Sequence, residues 1–349
     1  MLKRVITALG ATALACGGVA AAAGATTSAT TPLPKATNGK AVQVLATGLH
    51  TPTSFAFGAN AVFEGDGGVQ GPQGLTAPGG VFLIKGRKAT LLAGSPAFVS
   101  GLAFHKGALY VAATDIDAKT HAFTFQLQAW SDFDGTTFKT HKVIYTAPKG
   151  FSGLNGIAFG PDGRLYVGVD VSLTQTNDHG PATKKTPYLY DVLSMNTKGK
   201  ALTVFASGMR QPWQIAFAPG DKSPFVTDFG QDKGAKNPPD FLLHIHNKDN
   251  YGFPQCNWTN AKLCKGFAKP FQLFPRHTDL GGIGIIGRRI FLSQFGMGSA
   301  PPAIVTVPLK GGAKKTLVKG FVAPVIGLGV HAGWVYFGDL TGTVYRVHS

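Results

Sequence analysis

The chain has 349 residues, with 47 glycines, 22 prolines and only 14% charged residues, which describes many short strands joined by tight turns. No stretch longer than about ten residues keeps apolar residues at i, i+3, i+4, i+7, which excludes an α-rich fold. The net charge is +16 and Glu64 is the one glutamate, so anionic partners are expected, such as a carboxylated cofactor or an anionic envelope polymer. The lysines are scattered through turns with no basic-aromatic tract, so nucleic acid is not an expected partner.

In chain order, residues 1–25 read as a signal peptide. Lys3 and Arg4 form a basic start, an Ala/Gly-rich apolar run follows over 5–23, and Ala23-Gly24-Ala25 offers a small-residue cleavage site. The run is weakly hydrophobic, which favours cleavage over anchoring. The expectation is a secreted protein, extracellular or periplasmic, with no transmembrane segment in the mature chain. Cys16 follows Ala13-Leu14-Ala15, a poor match to a lipoprotein signal, so lipidation there is not expected. Residues 26–40 read as a flexible leader, too polar to fold alone. Residues 41–349 are expected to form one domain. Export implies an oxidising compartment, so Cys256 and Cys264 are expected to pair as a disulfide, with two buried thiols as the alternative.

One phrase recurs through 41–349: an apolar strand ending in Ala-Phe or its equivalent, a tight turn, then a second strand ending in an aromatic-Val pair or similar. Phe57, Phe104, Phe159, Phe217, Ile285 and Val330 mark its six copies. The steps between them are about 45 to 70 residues, enough for four strands and their turns, the size of a propeller blade. Pro161-Asp162-Gly163 shows how the turn works, since proline fixes φ and glycine accepts positive φ. The fold class is therefore all-β, a six-bladed β-propeller. Residues 342–347 read as a late strand, and 42–46 as the strand that completes the same blade and closes the ring, leaving no open sheet edge.

Four stretches carry a family resemblance: Phe159-Gly160-Pro161-Asp162-Gly163-Arg164-Leu165-Tyr166-Val167, Gly208-Met209-Arg210-Gln211-Pro212-Trp213-Gln214, Asn250-Tyr251-Gly252-Phe253-Pro254, and His277 followed by Gly281-Gly282-Ile283. Together they resemble the glucose/sorbosone dehydrogenase family, the soluble quinoprotein glucose dehydrogenases and pyranose dehydrogenases. The resemblance implies pyrroloquinoline quinone (PQQ) on the propeller axis near a Ca²⁺, oxidising a small-molecule sugar at its anomeric or aldehyde carbon. The hard chemistry would belong to the cofactor.

On that resemblance Arg210 is the first cofactor contact, because a guanidinium can fork onto carboxylate and quinone oxygens. Asn177 and His179 fall in the loop that faces the cofactor. Gly230 and Gln231 stand where the family offers main-chain carbonyls to Ca²⁺. His277 is a candidate base. The family's catalytic histidine falls at Ser152, and a serine is no base at neutral pH. Gln211, Gln214 and Gln231 also depart from the usual Asn, Gly and Pro. Two other readings stay open. One is a carbohydrate- or envelope-binding propeller without turnover. The other is a metal-dependent lactonase using Glu64 and Asn155, although Trp213 stands where a third, acidic ligand would be wanted.

Overall fold

The structure is a computed structural model. It describes residues 32–71, 74–117, 119–120, 122–171, 182–231, 238–296 and 300–349. The expected signal peptide, Cys16, Asn177 and His179 lie outside them.

Six antiparallel sheets follow one another along the chain as the six blades of a β-propeller. Their inner strands are Pro52–Gly58, Phe98–His105, Leu154–Phe159, Pro212–Phe217, Leu280–Ile286 and Val325–His331, and each packs beside the next until the sixth meets the first. The recurring phrase is thus the inner hairpin of each blade. In blade 3 its turn closes as expected: Gly163 has φ +74°, Asp162 accepts the Arg164 N–H at 3.0 Å, and the Tyr166 hydroxyl caps the same carboxylate at 2.9 Å. Blade 6 is completed by Gln43–Ala46 pairing with Val344–His348 (Gln43 opposite Arg346), so the N-terminal strand closes the ring.

Part of the stretch expected to be a flexible leader is structural. Lys35–Ala36 adds a fifth strand to blade 5 against Lys315–Lys319, and Thr37 bonds Leu317 through its N–H at 2.8 Å and Thr316 through its hydroxyl at 2.7 Å. The reason is an unpaired outer edge, which accepts any short extended segment whatever its side chains.

Between blades the core is apolar and interlocked. Phe63, Val81 and Leu83 of blade 1 pack on Leu102, Leu109 and Trp130 of blade 2, all buried. Around the axis the inner strands approach so closely that glycine is required: a Cβ on Gly156 would stand 2.8 Å from the Trp213 carbonyl oxygen of the next blade.

Polar side chains staple the inner strands together. Thr53 donates to the Val99 carbonyl (2.7 Å), Ser100 to that of Asn155 (3.4 Å), and the Asn155 amide to that of Pro212 (2.9 Å). In blades 4 and 5 the equivalent inner positions are Trp213 and Gly281. There the staple comes from the second strand, Thr227 to the Gly281 carbonyl (3.0 Å) and Ser293 to the Ile326 carbonyl (2.8 Å). The last junction, blade 6 to blade 1, is made by Gly338 lying flat on Pro52. Each staple satisfies a backbone carbonyl buried beside the axis.

Candidate functional site

The candidate site lies on the rim where second strands end and inner strands begin. The repeat has a fixed hydrogen bond here. In five of the six blades the residue six before the marker (Thr51, Gly153, Gln211, Asp279 and Pro324) accepts an N–H from just past the second strand: Gly67, Asp170, Phe229, Phe295 and Leu340 respectively. One residue earlier, on the same rung, stand His50 in blade 1, Ser152 in blade 3, Arg210 in blade 4 and Thr278 in blade 5.

Arg210 is buried, 2% exposed. Its Nη1 donates to the Gly230 carbonyl at 2.9 Å and approaches Gln211 Oε1 at 3.4 Å and the Phe229 carbonyl at 3.5 Å. Asp228 receives the Arg210 and Gln211 N–H groups at 3.3 and 2.6 Å. Burial pushes the Asp228 carboxyl up to about 7, against these bonds and the neighbouring guanidinium, which pull it down. The Gly230 N–H in turn donates to Asp240 Oδ1 at 2.8 Å, and the other Asp240 oxygen takes the Asp279 N–H at 2.8 Å. Asp240 therefore ties the Arg210 segment to the loop that carries His277. His277 is half-buried with φ +56°, a conformation that turns the chain sharply ahead of the fifth inner strand.

Ser152 is buried and spends its hydroxyl on the Asp170 carbonyl. Gln214, where the family motif has glycine, sends its amide past Gly156 to the Ser100 carbonyl at 2.9 Å, from blade 4 to blade 2. This fills the channel beside blades 2 to 4. On the blade 4–6 side Trp213, Phe229, Phe295 and Ile326 form an apolar cluster, in which the buried Trp213 indole N–H has no acceptor among the described residues.

Of the two main-chain carbonyls expected at Ca²⁺, that of Gly230 does not fit the ion. The Gly230 carbonyl already accepts a buried guanidinium, and a second cation there would face it directly. The Gln231 side chain accepts from Asn257 at 3.0 Å. Among the described residues, no group of three or more His, Cys, Asp and Glu is arranged to hold a metal ion. Of the pair considered for a lactonase, the Asn155 amide is used in a staple, while Asn155 Oδ1 and both Glu64 carboxyl oxygens are buried with no hydrogen-bond partner among the described residues. Arg210 instead lines a small space with Asp228, Phe241, Tyr251, Phe253 and Trp258, none of which belongs to the Trp213 cluster.

His50 went unrecognised in the sequence, although the signal existed: it stands seven residues before Phe57, the offset that separates Ser152 from Phe159. Its N–H donates to Asp66 Oδ2 at 2.7 Å, and its Nδ1 is buried without a partner among the described residues. Asp191 also went unrecognised, because only the fold places it against residues near position 250.

The Cys256–Cys264 disulfide is formed. No helix among the described residues is long and apolar enough to cross a membrane.

No protein-family model and no curated protein sequence matches the chain. Solved structures do. A glucose dehydrogenase-type oxidoreductase from Thermus thermophilus is 18% identical, with TM-score 0.68, over 88% of this chain and 100% of that one. The PQQ-bound aldose sugar dehydrogenase of Streptomyces coelicolor is 18% identical, with TM-score 0.64, over 90% and 99%. A gluconolactonase from Xanthomonas campestris is 14% identical, with TM-score 0.54, over 90% and 94%. At these identities the likeness establishes the fold, a six-bladed propeller shared by sugar dehydrogenases and gluconolactonases.

Proposed function

We propose that the protein is an exported sugar-oxidising propeller of the quinone-dependent aldose dehydrogenase kind, acting at the anomeric or aldehyde carbon of a small sugar. The observation that carries this reading is Arg210: a buried cation beside the aromatic side chains of Phe241, Tyr251, Phe253 and Trp258, in a motif resembling the family's cofactor segment. PQQ, when bound, would supply the electron acceptor for the sugar. Arg210 would meet its carboxylates. Calcium at Gly230 and Gln231 is no part of the reading. With Ser152 tied to a carbonyl, the proton from the sugar falls to His277 or to His50, which holds the equivalent position in blade 1 and whose buried Nδ1 has no partner among the described residues. The disulfide and the signal-like N-terminus support export.

A second reading is favoured by Ser152 and Gln214, which replace a base and a glycine: a carbohydrate-binding propeller that keeps the rim without turnover. Titrating the mature protein with PQQ, then adding aldoses and a redox dye, separates the two. Sugar-dependent dye reduction that is lost in His50→Ala or His277→Ala supports the dehydrogenase. Quinone or sugar binding without reduction supports the second reading, and binding of neither contradicts both.

A further inference from the structure

Off the axis, between blades 3 and 4, lies a pocket of about 360 Å³ that Arg210, Gln214 and His277 do not line. Its polar wall is Asp191, Ser207, Asn250 and Gln255, and its aromatic wall is Tyr190, Phe253 and Phe267. The walls are fixed by backbone pairing. Tyr251 donates its N–H to the Ser207 carbonyl at 3.0 Å and Phe253 to that of Gly208 at 3.0 Å, so the 249–253 segment lies parallel along the end of blade 3. Tyr190 meets Phe253 edge-on, with centroids 4.8 Å apart. The ring of Phe267 covers Gly252, and the disulfide ties the loop that returns Phe267 to the wall.

The pocket's polar side chains are the half-buried Asp191 and Ser207 and the exposed Asn250 and Gln255, and the first three carry unused groups set against the aromatic wall. The Asp191 backbone is bonded to Tyr188 and Val169, but its carboxylate makes no hydrogen bond among the described residues. Asn250 spends Oδ1 on the Gly252 N–H at 2.8 Å and keeps both amide hydrogens. The Ser207 hydroxyl is likewise unspent. Burial without a compensating bond pushes the Asp191 carboxyl up to about 7.

The leftover set is an acceptor, a donor and a group that is both, facing a hydrophobic aromatic wall. Vicinal hydroxyls are each donor and acceptor, and a pyranose presents them on its edge and C–H groups on its face. An anion would be repelled by Asp191, an apolar ligand would leave all three groups unsatisfied, and a simple amine would satisfy only one. We propose that this pocket is a carbohydrate-binding subsite separate from the axial rim, taking one neutral sugar ring between Asp191, Ser207 and Asn250 on one side and Tyr190, Phe253 and Phe267 on the other. Its volume falls in the range of small-ligand pockets.

Calorimetric titration of the mature protein with glucose, maltose, cellobiose and methylamine, with PQQ and calcium left out, tests this separately from the axial reading, whose signals are quinone absorbance and dye reduction. Saturable binding of at least one sugar is expected, weakened tenfold or more in Asp191→Asn and in Ser207→Ala, with both variants as cooperatively folded as the parent by thermal unfolding. Absence of sugar binding, equal affinity in the variants, or tighter binding of methylamine than of any sugar overturns the proposal.

Discussion

Blades 1 and 4 stand three blades apart, on opposite sides of the ring, and carry the same rim device with different residues on it. In each, an aspartate at the end of the second strand, Asp66 or Asp228, accepts the N–H groups of the two residues that open the inner strand. In blade 1 the first of these is His50, half-buried with a ring nitrogen unpartnered among the described residues. In blade 4 it is Arg210, fully buried and bonded to a main-chain carbonyl. The aspartate holds the backbone, so the side chain beside it is free to vary. Function on this scaffold can therefore change by single substitutions on a constant rung.

The contrast is broken most sharply by truncation. Arg210→Ala leaves Asp228 buried without its cation and should cost about 3–5 kcal/mol, read from the urea midpoint. His50→Ala removes no buried ion pair and should cost about 1 kcal/mol or less. Equal losses would mean that the two sites do the same structural work.

The second strands of the two blades differ as well. Glu64 is fully buried, with neither carboxyl oxygen in a well-formed hydrogen bond among the described residues, and its carboxyl is raised by burial and by the nearby Asp66 against a weaker pull from the Thr53 main chain. The paired positions in the other blades hold Val111, Val167, Val226, Leu292 and Phe337, opposite Leu or Ile. Glu64→Val should therefore stabilise the fold by about 1–4 kcal/mol. A loss of stability would show that the carboxyl has a partner or a purpose in the folded protein.

Asp191 gives the comparison a pH axis. Its carboxyl titrates near 7 when folded, against about 3.9 in an unfolded chain. The folded state thus binds the extra proton, and stability from this group is full below pH 4 and is lost as pH rises to 7. The limiting slope is about 1.4 kcal/mol per pH unit. Urea midpoints at pH 5 and pH 8 should differ less in Asp191→Asn than in the parent. The smallest effect expected is at the staples, where Thr227→Val or Ser293→Ala should cost about 1 kcal/mol each. Stability unchanged in both would mean that the carbonyls of Gly281 and Ile326 find other donors.

Much of the architecture was legible in the sequence because it is written locally. The inner hairpins follow from strand patterning and turn chemistry such as Pro161-Asp162-Gly163, and ring closure from an unmatched strand at each end. The docking of Lys35–Ala36 was not legible, since two residues carry no periodicity and the edge they join lies 280 residues away. Arg210 was found by its motif. That its guanidinium turns to the Gly230 carbonyl was hidden, because a main-chain acceptor leaves no trace in side-chain identity. The Asp191 pocket needs positions near 190, 207, 250 and 267 brought together, which only the packing of blade 4's long loop on blade 3 achieves.

The proposed quinone site on the rim would need Arg210 and not calcium. Its most direct test is titration of PQQ absorbance on the mature protein in excess Ca²⁺ and in excess chelator. Saturable binding of equal strength in both is the expected result. Binding that requires calcium, or no binding in either condition, would contradict it.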